Sequence, residues 1–87
     1  MAVYMVERDL KDIRMDQLAA AQKAAIDTGK KMTVSGKPVR YIRSTFVPAE
    51  GRCMCLFEAP NQQSVKELND TAKLPYTRIV EALDLTP

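Results

Sequence analysis

Two runs rich in β-branched, aromatic and thiol residues, 39–47 (VRYIRSTFV) and 52–58 (RCMCLFE), are separated by only Pro48-Ala49-Glu50-Gly51. So short a connection between strand-forming runs specifies a hairpin. It also fixes the register, because Val47 must oppose Arg52. Phe46 then faces Cys53, Ser44 faces Cys55 and Ile42 faces Phe57, while Thr45–Met54, Arg43–Leu56 and Tyr41–Glu58 share the other side. The first set is the more apolar and is assigned to the core.

The rest of the 87-residue chain arranges itself around this hairpin. Residues 2–8 read as a strand, closed by Glu7-Arg8. From Met15 to Thr28, Met15, Leu18, Ala19, Gln22, Ala25 and Ile26 recur at three- and four-residue steps, which predicts a helix with Gly29 as its C′ residue. The stretch from Lys30 to Pro38 then reads as a basic loop. Asn61 offers an N-cap for a second helix over 62–72, which Leu74-Pro75 stops, and residues 78–85 (RIVEALDL) form the last strand. No linker or repeat interrupts this order, so the chain is one domain, 1–87. The β-α-β-β-α-β succession predicts an α+β, ferredoxin-like fold: a four-stranded antiparallel sheet with two helices on one face. Crossover handedness places strands one and three side by side at the centre, and we take them as parallel.

Composition removes several function classes. With no histidine, no Ser-His or Cys-His nucleophile pair and no imidazole-bound metal forms within one chain. Lys+Arg of 13 against Asp+Glu of 11 gives a net charge of +2, too small a field to imply nucleic acid. The third strand also lacks the Lys/Arg-Gly-aromatic pattern of RNA-reading sheets. No apolar run is long enough to span a bilayer, and the N-terminus lacks a basic signal region, so no membrane partner and a cytoplasmic location are expected. Cys53 and Cys55 lie on one strand face, badly placed for a mutual disulfide. Two thiolates attract soft ions such as Cu(I) or Zn(II), but two ligands do not complete a zinc site, so both thiols are assigned to core packing.

The second sheet face carries Met5, Glu7, Tyr41, Arg43, Met54, Leu56, Glu58, Ile79, Glu81 and Leu83 on this reading. Core positions are extended to Tyr4, Val6, Val80 and Ala82. A solvated face carries few Met, Leu and Ile, so this one predicts a homodimer, sheet against sheet. If strands one and three are parallel, Glu7 and Glu58 lie at one sheet end. Glu7, Tyr41, Arg43, Glu58 and Glu81 then form a polar cluster, the candidate ligand site. Salt bridges within the interface are the plainer reading of the same residues.

Tyr4-Met5-Val6-Glu7-Arg8, Val39-Arg40-Tyr41-Ile42-Arg43-Ser44, Cys55-Leu56-Phe57-Glu58-Ala59-Pro60 and Leu74-Pro75 leading to Arg78-Ile79 together resemble a bacterial family of unknown function, the one numbered 4242. Its members are small ferredoxin-like dimers, one of them nickel-binding. The resemblance runs in order over nearly the whole chain and implies the fold, the dimer and a metal. It also implies an aromatic residue at Tyr41 and a histidine where Arg43 stands. A guanidinium cannot ligate a metal, so no cofactor is expected and the family's nickel route is disfavoured. The expectation is therefore a small dimeric binding protein holding a small molecule or ion on the open face. One alternative is a cofactor-free enzyme of the dimeric α+β barrel type, with Glu58 as base and Tyr41 and Arg43 stabilising an oxyanion. The other is a nickel- or other metal-binding protein.

Overall fold

A computed structural model describes residues 1–87 as β1 (Ala2–Asp9), α1 (Met15–Val34), β2 (Arg40–Val47), β3 (Arg52–Ala59), α2 (Gln62–Thr71) and β4 (Arg78–Ala82). The strands form one sheet in the order β2-β3-β1-β4, antiparallel at every pairing. This is the ferredoxin-like arrangement the sequence predicts. Both helices cover one face, where Ala25 and Met32 of α1 and Val65 and Leu68 of α2 meet Tyr4, Val6, Cys53, Cys55, Phe57 and Ile79 of the sheet. No helix is long and apolar enough to cross a membrane.

The hairpin register holds from Val47↔Arg52 to Arg43↔Leu56, then shifts. A bulge between Tyr41 and Arg43 pairs Tyr41 with Phe57 and Arg40 with Glu58, so the expected Ile42–Phe57 and Tyr41–Glu58 pairs do not form. The extra residue turns Tyr41 to the helix side of the sheet. The central strands are antiparallel, not parallel: a right-handed β-α-β crossover aligns β1 with β2, and the hairpin reverses β3. On β4 the expected faces are exchanged. Val6↔Ile79 and Tyr4↔Glu81 share the helix side, while Met5↔Val80 and Val3↔Ala82 share the other.

α1 does not stop before Gly29 but runs two further turns, with Ala25, Gly29 and Met32 buried along one stripe. Gly29 serves close approach rather than termination: a Cβ there would stand 3.1 Å from the Val39 carbonyl oxygen. Thr33 Oγ1 locks the contact, donating to the Gly29 carbonyl at 2.9 Å and accepting from the Val39 N–H at 3.2 Å. The helix ends instead at Ser35, and Gly36 supplies the left-handed residue at φ +91°. β4 stops at Ala82, three residues short of the expected end, because β1 has almost no chain left to pair with. The segment that follows crosses the second sheet face, where Asp84 meets Arg43 of the far strand β2 at 3.0 Å.

Gly51 closes the hairpin at φ +69°, its carbonyl accepting from the Leu10 N–H at 2.7 Å. A Cβ there would lie 2.5 Å from Lys11 Cα. We predict that Gly51→Ala costs about 1–3 kcal/mol through a left-handed non-glycine residue and this backbone clash, read as a lowered urea midpoint. An unchanged midpoint would show that the β1–α1 loop yields freely.

Candidate functional site

The five residues expected to cluster are dispersed. Glu7 accepts from Arg52 Nη2 at 2.5 Å and from Arg78 Nε at 2.9 Å, and its side chain is only 15% exposed. The Arg78 hydrogen bond, then that of Arg52, holds its carboxyl below the ordinary value of 4.5. Glu58 lies at the other end of the sheet, because antiparallel pairing sets Glu7 against Met54 and Val3 against Glu58. Four residue rises, about 13 Å, separate the two carboxylates along the strands. Glu58 pairs with Arg40 at 3.4 Å, and Arg43 with Asp84. Glu81 is exposed on the edge strand, on the helix side, and joins no ion pair. Tyr41 also lies on the helix side, its ring edge-on to Phe57 at 5.5 Å. The second sheet face therefore holds an apolar strip between locally neutralised charges, not a convergent polar site.

Convergence occurs on the other side. A cavity of about 160 Å³ lies between α1 and the sheet. Leu10, Leu18, Ala21, Ala25 and Phe46 make its apolar wall, and Arg8, Gln22, Tyr41, Ser44, Cys53 and Cys55 its polar part. Strand alternation accounts for the polar set: Tyr4, Val6 and Arg8 share one face of β1, and Arg8 opposes Cys53 of β3. Arg8 is thus placed in the core, 3% exposed. Its Nη1 donates to the Pro75 carbonyl at 3.0 Å and its Nε to Cys55 Sγ at 3.4 Å, but no carboxylate pairs with it. Its buried Nη2 has no partner.

The hydrogen bonds around the thiols run one way. Gln22 Nε2 donates to the Tyr41 hydroxyl at 2.8 Å, which leaves the Tyr41 proton for Ser44 Oγ at 2.6 Å. Ser44 Oγ in turn donates to Cys55 Sγ at 3.0 Å, and Cys53 Sγ stands 3.7 Å from Cys55 Sγ. A sulfur receiving the Cys53 S–H, with the Arg8 charge and the Ser44 hydroxyl beside it, is favoured as thiolate. The Cys55 thiol is accordingly pushed down and the Cys53 thiol, which keeps its proton, pushed up. Both cysteines are core residues, as expected, yet they also form the floor of the cavity. No group of three or more Cys, Asp or Glu side chains comes together anywhere in the chain.

Sequence reasoning missed the roles of Arg8 and Gln22, whereas Ser44 opposite Cys55 is the pairing the hairpin register predicts. The signal for Arg8 was present: period two carried two residues past Val6 puts it on the core face beside the cysteine pair. Gln22 lies on the inward stripe that the helical period marks, but its hydrogen bond to Tyr41 depends on the bulge that turns Tyr41 to the helix side.

A family model described as "nickel responsive protein SCO4226-like" matches residues 4–82. Among solved structures, the crystal structure of SCO4226 from Streptomyces coelicolor A3(2) superposes with a TM-score of 0.82 at 24% identity, covering 98% of this chain and 100% of that one. At that identity the likeness speaks for the fold. No curated protein sequence matches the chain.

Glu7 generates a pH prediction. A carboxyl held below its unfolded value contributes stability that is present above the unfolded pKa and lost as pH falls through the folded one. Thermal midpoints should therefore fall below about pH 4.5, and Glu7→Gln should flatten that acid limb while lowering the midpoint at pH 7. An acid limb identical in the variant would remove Glu7 from the account.

Proposed function

The chain belongs to the SCO4226-like family, and from that premise we propose that it is a small binding protein of the cytoplasm whose ligand sits in the cavity between α1 and the sheet. The observation that carries this reading is the convergence of Arg8, Tyr41, Ser44 and the two thiols on one partly apolar cavity. The volume, well below that of a drug-sized pocket, admits an ion or a molecule of a few heavy atoms. The enzyme alternative loses its constellation, since Glu58 and Tyr41 stand on opposite faces of the sheet. A family described as nickel responsive makes nickel the metal to test for fit. The donors do not fit it: there is no imidazole, no cluster of three ligands, and a guanidinium at position 43 that is paired with Asp84. No nickel-dependent step is assigned to this chain.

The second sheet face supports a homodimer. Val3, Met5, Met54, Leu56, Val80 and Ala82 form a half-buried apolar strip. Such a strip is the kind of area a second copy covers.

Two outcomes test these readings. In a thermal-shift screen of small carboxylic acids and thiophilic ions, a ligand at a hundred times its Kd should stabilise the protein by about 2.7 kcal/mol, a rise of about 10–20 degrees. Ala21→Phe, which fills the cavity, should abolish the rise while circular dichroism stays that of the parent; a rise that survives the filling would place the ligand elsewhere. Leu56→Glu should convert the protein from dimer to monomer in native mass spectra, and a monomeric parent would dispose of the dimer.

A further inference from the structure

We propose that Cys53 and Cys55 together hold one soft monovalent cation, of the chemical class of Cu(I), at the floor of this cavity. The proposal rests on the cavity being the binding site and names what it binds.

Geometry is the first argument. The two sulfurs project from one face of β3, 3.7 Å apart, far beyond a disulfide bond of about 2.05 Å. Two sulfurs each about 2.3 Å from a shared ion, at the angle near 120° of a three-coordinate centre, stand about 4.0 Å apart. The strand thus presents the pair within a few tenths of an ångström of chelating distance. Such a bent arrangement leaves one side of the ion turned to the cavity, where the Tyr41 and Ser44 hydroxyls also stand.

Chemical softness is the second. Sulfur is the only strong ligand type at this place: the chain has no histidine, and every carboxylate in an ion pair lies outside the cavity lining. Thiolates without imidazole or carboxylate select soft ions. A zinc or nickel centre asks for further protein donors, and none converge here.

Charge selects among the soft ions. Arg8 brings a buried positive charge with no carboxylate partner, and its Nη2 is unpaired. Two thiolates and a monovalent ion sum to one negative charge, which the guanidinium cancels. Two thiolates and a divalent ion sum to zero, and the buried Arg8 charge would stay uncompensated among neutral groups. Each thiol proton displaced as a sulfur–metal bond forms passes to solvent. No electron moves, because the ion arrives already in its monovalent state.

The test is an anaerobic titration of the reduced protein with Cu(I) delivered from a chromophoric chelator, and with Ag(I), Zn(II) and Ni(II) in parallel. We expect one Cu(I) or Ag(I) per chain, a sulfur-to-metal charge-transfer band for copper, and affinity for Zn(II) and Ni(II) lower by at least about a hundredfold. Cys53→Ser and Cys55→Ser should each cost about a hundredfold in Cu(I) affinity. Arg8→Gln should narrow the preference for monovalent over divalent ions by about tenfold or more, and Arg8→Lys should restore it. Binding that survives both serine variants, or equal affinity for Zn(II), overturns the proposal whether or not the Arg8 variants fold. Small-acid stabilisation that Ala21→Phe abolishes, with no Cu(I) bound, would reject the ion and keep the cavity reading. Cu(I) bound by the thiols with no effect of Ala21→Phe on any ligand would reject the cavity reading instead.

Discussion

The antiparallel pairing of β1 with β3 decides almost everything else. Tyr4 opposite Phe57 and Val6 opposite Cys55 give the helices an apolar floor. One step further along the same face, Arg8 opposite Cys53 places a cation among thiols. The alternate residues, Met5 with Leu56 and Glu7 with Met54, go to the other side. Because side chains alternate strictly, moving this register by one residue would bury Glu7 and expose Val6. The core, the cavity and the ion-paired outer face are therefore consequences of a single alignment.

What was legible in the sequence was what neighbouring residues settle among themselves. Pro48 to Gly51 sets the hairpin, and the pairs from Val47↔Arg52 to Arg43↔Leu56 follow from turn length alone. Asn61 was legible as a cap because its Oδ1 accepts from the Ser64 N–H, a contact three residues long. The errors fall where distant parts of the chain decide. Gly29 looks like a helix stop until β2 is seen to need its missing side chain. On β4, Ile79 and Val80 are both apolar neighbours in a five-residue strand, so alternation alone could not choose the inward one. The relative direction of β1 and β3 was decisive for the site, since a parallel pair would gather Glu7 and Glu58 and the antiparallel pair parts them.

The two faces of the sheet treat charge in opposite ways. On the outer face each acidic group has an arginine at hand: Glu7 with Arg52 and Arg78, Glu58 with Arg40, Asp84 with Arg43. Exposed pairs of this kind contribute little individually and mainly keep polar groups satisfied around an apolar strip. On the inner face a lone guanidinium is surrounded by sulfur, hydroxyl and carbonyl groups. Burying a charge under those terms is costly, and a fold retains it readily where something bound shares the field. Membership in a nickel-responsive family thus describes the scaffold, while the donor set belongs to this chain.

The bulge at Ile42 divides β2 into two independently adjustable halves. Residues 43 to 47 are tied to the hairpin turn, and Arg40 and Tyr41 follow the loop that leaves α1. Losing the single extra residue at the bulge would turn Tyr41 to the other side of the sheet, with Arg43 and the rest of the hairpin unmoved. A chain could exchange an outward-facing aromatic for a cavity wall by one such insertion, leaving the half of β2 from Arg43 to Val47 in place. Within this scaffold, then, the length of β2 is as open to natural variation as the identity of its side chains, and one residue more or less changes which side chains line the cavity.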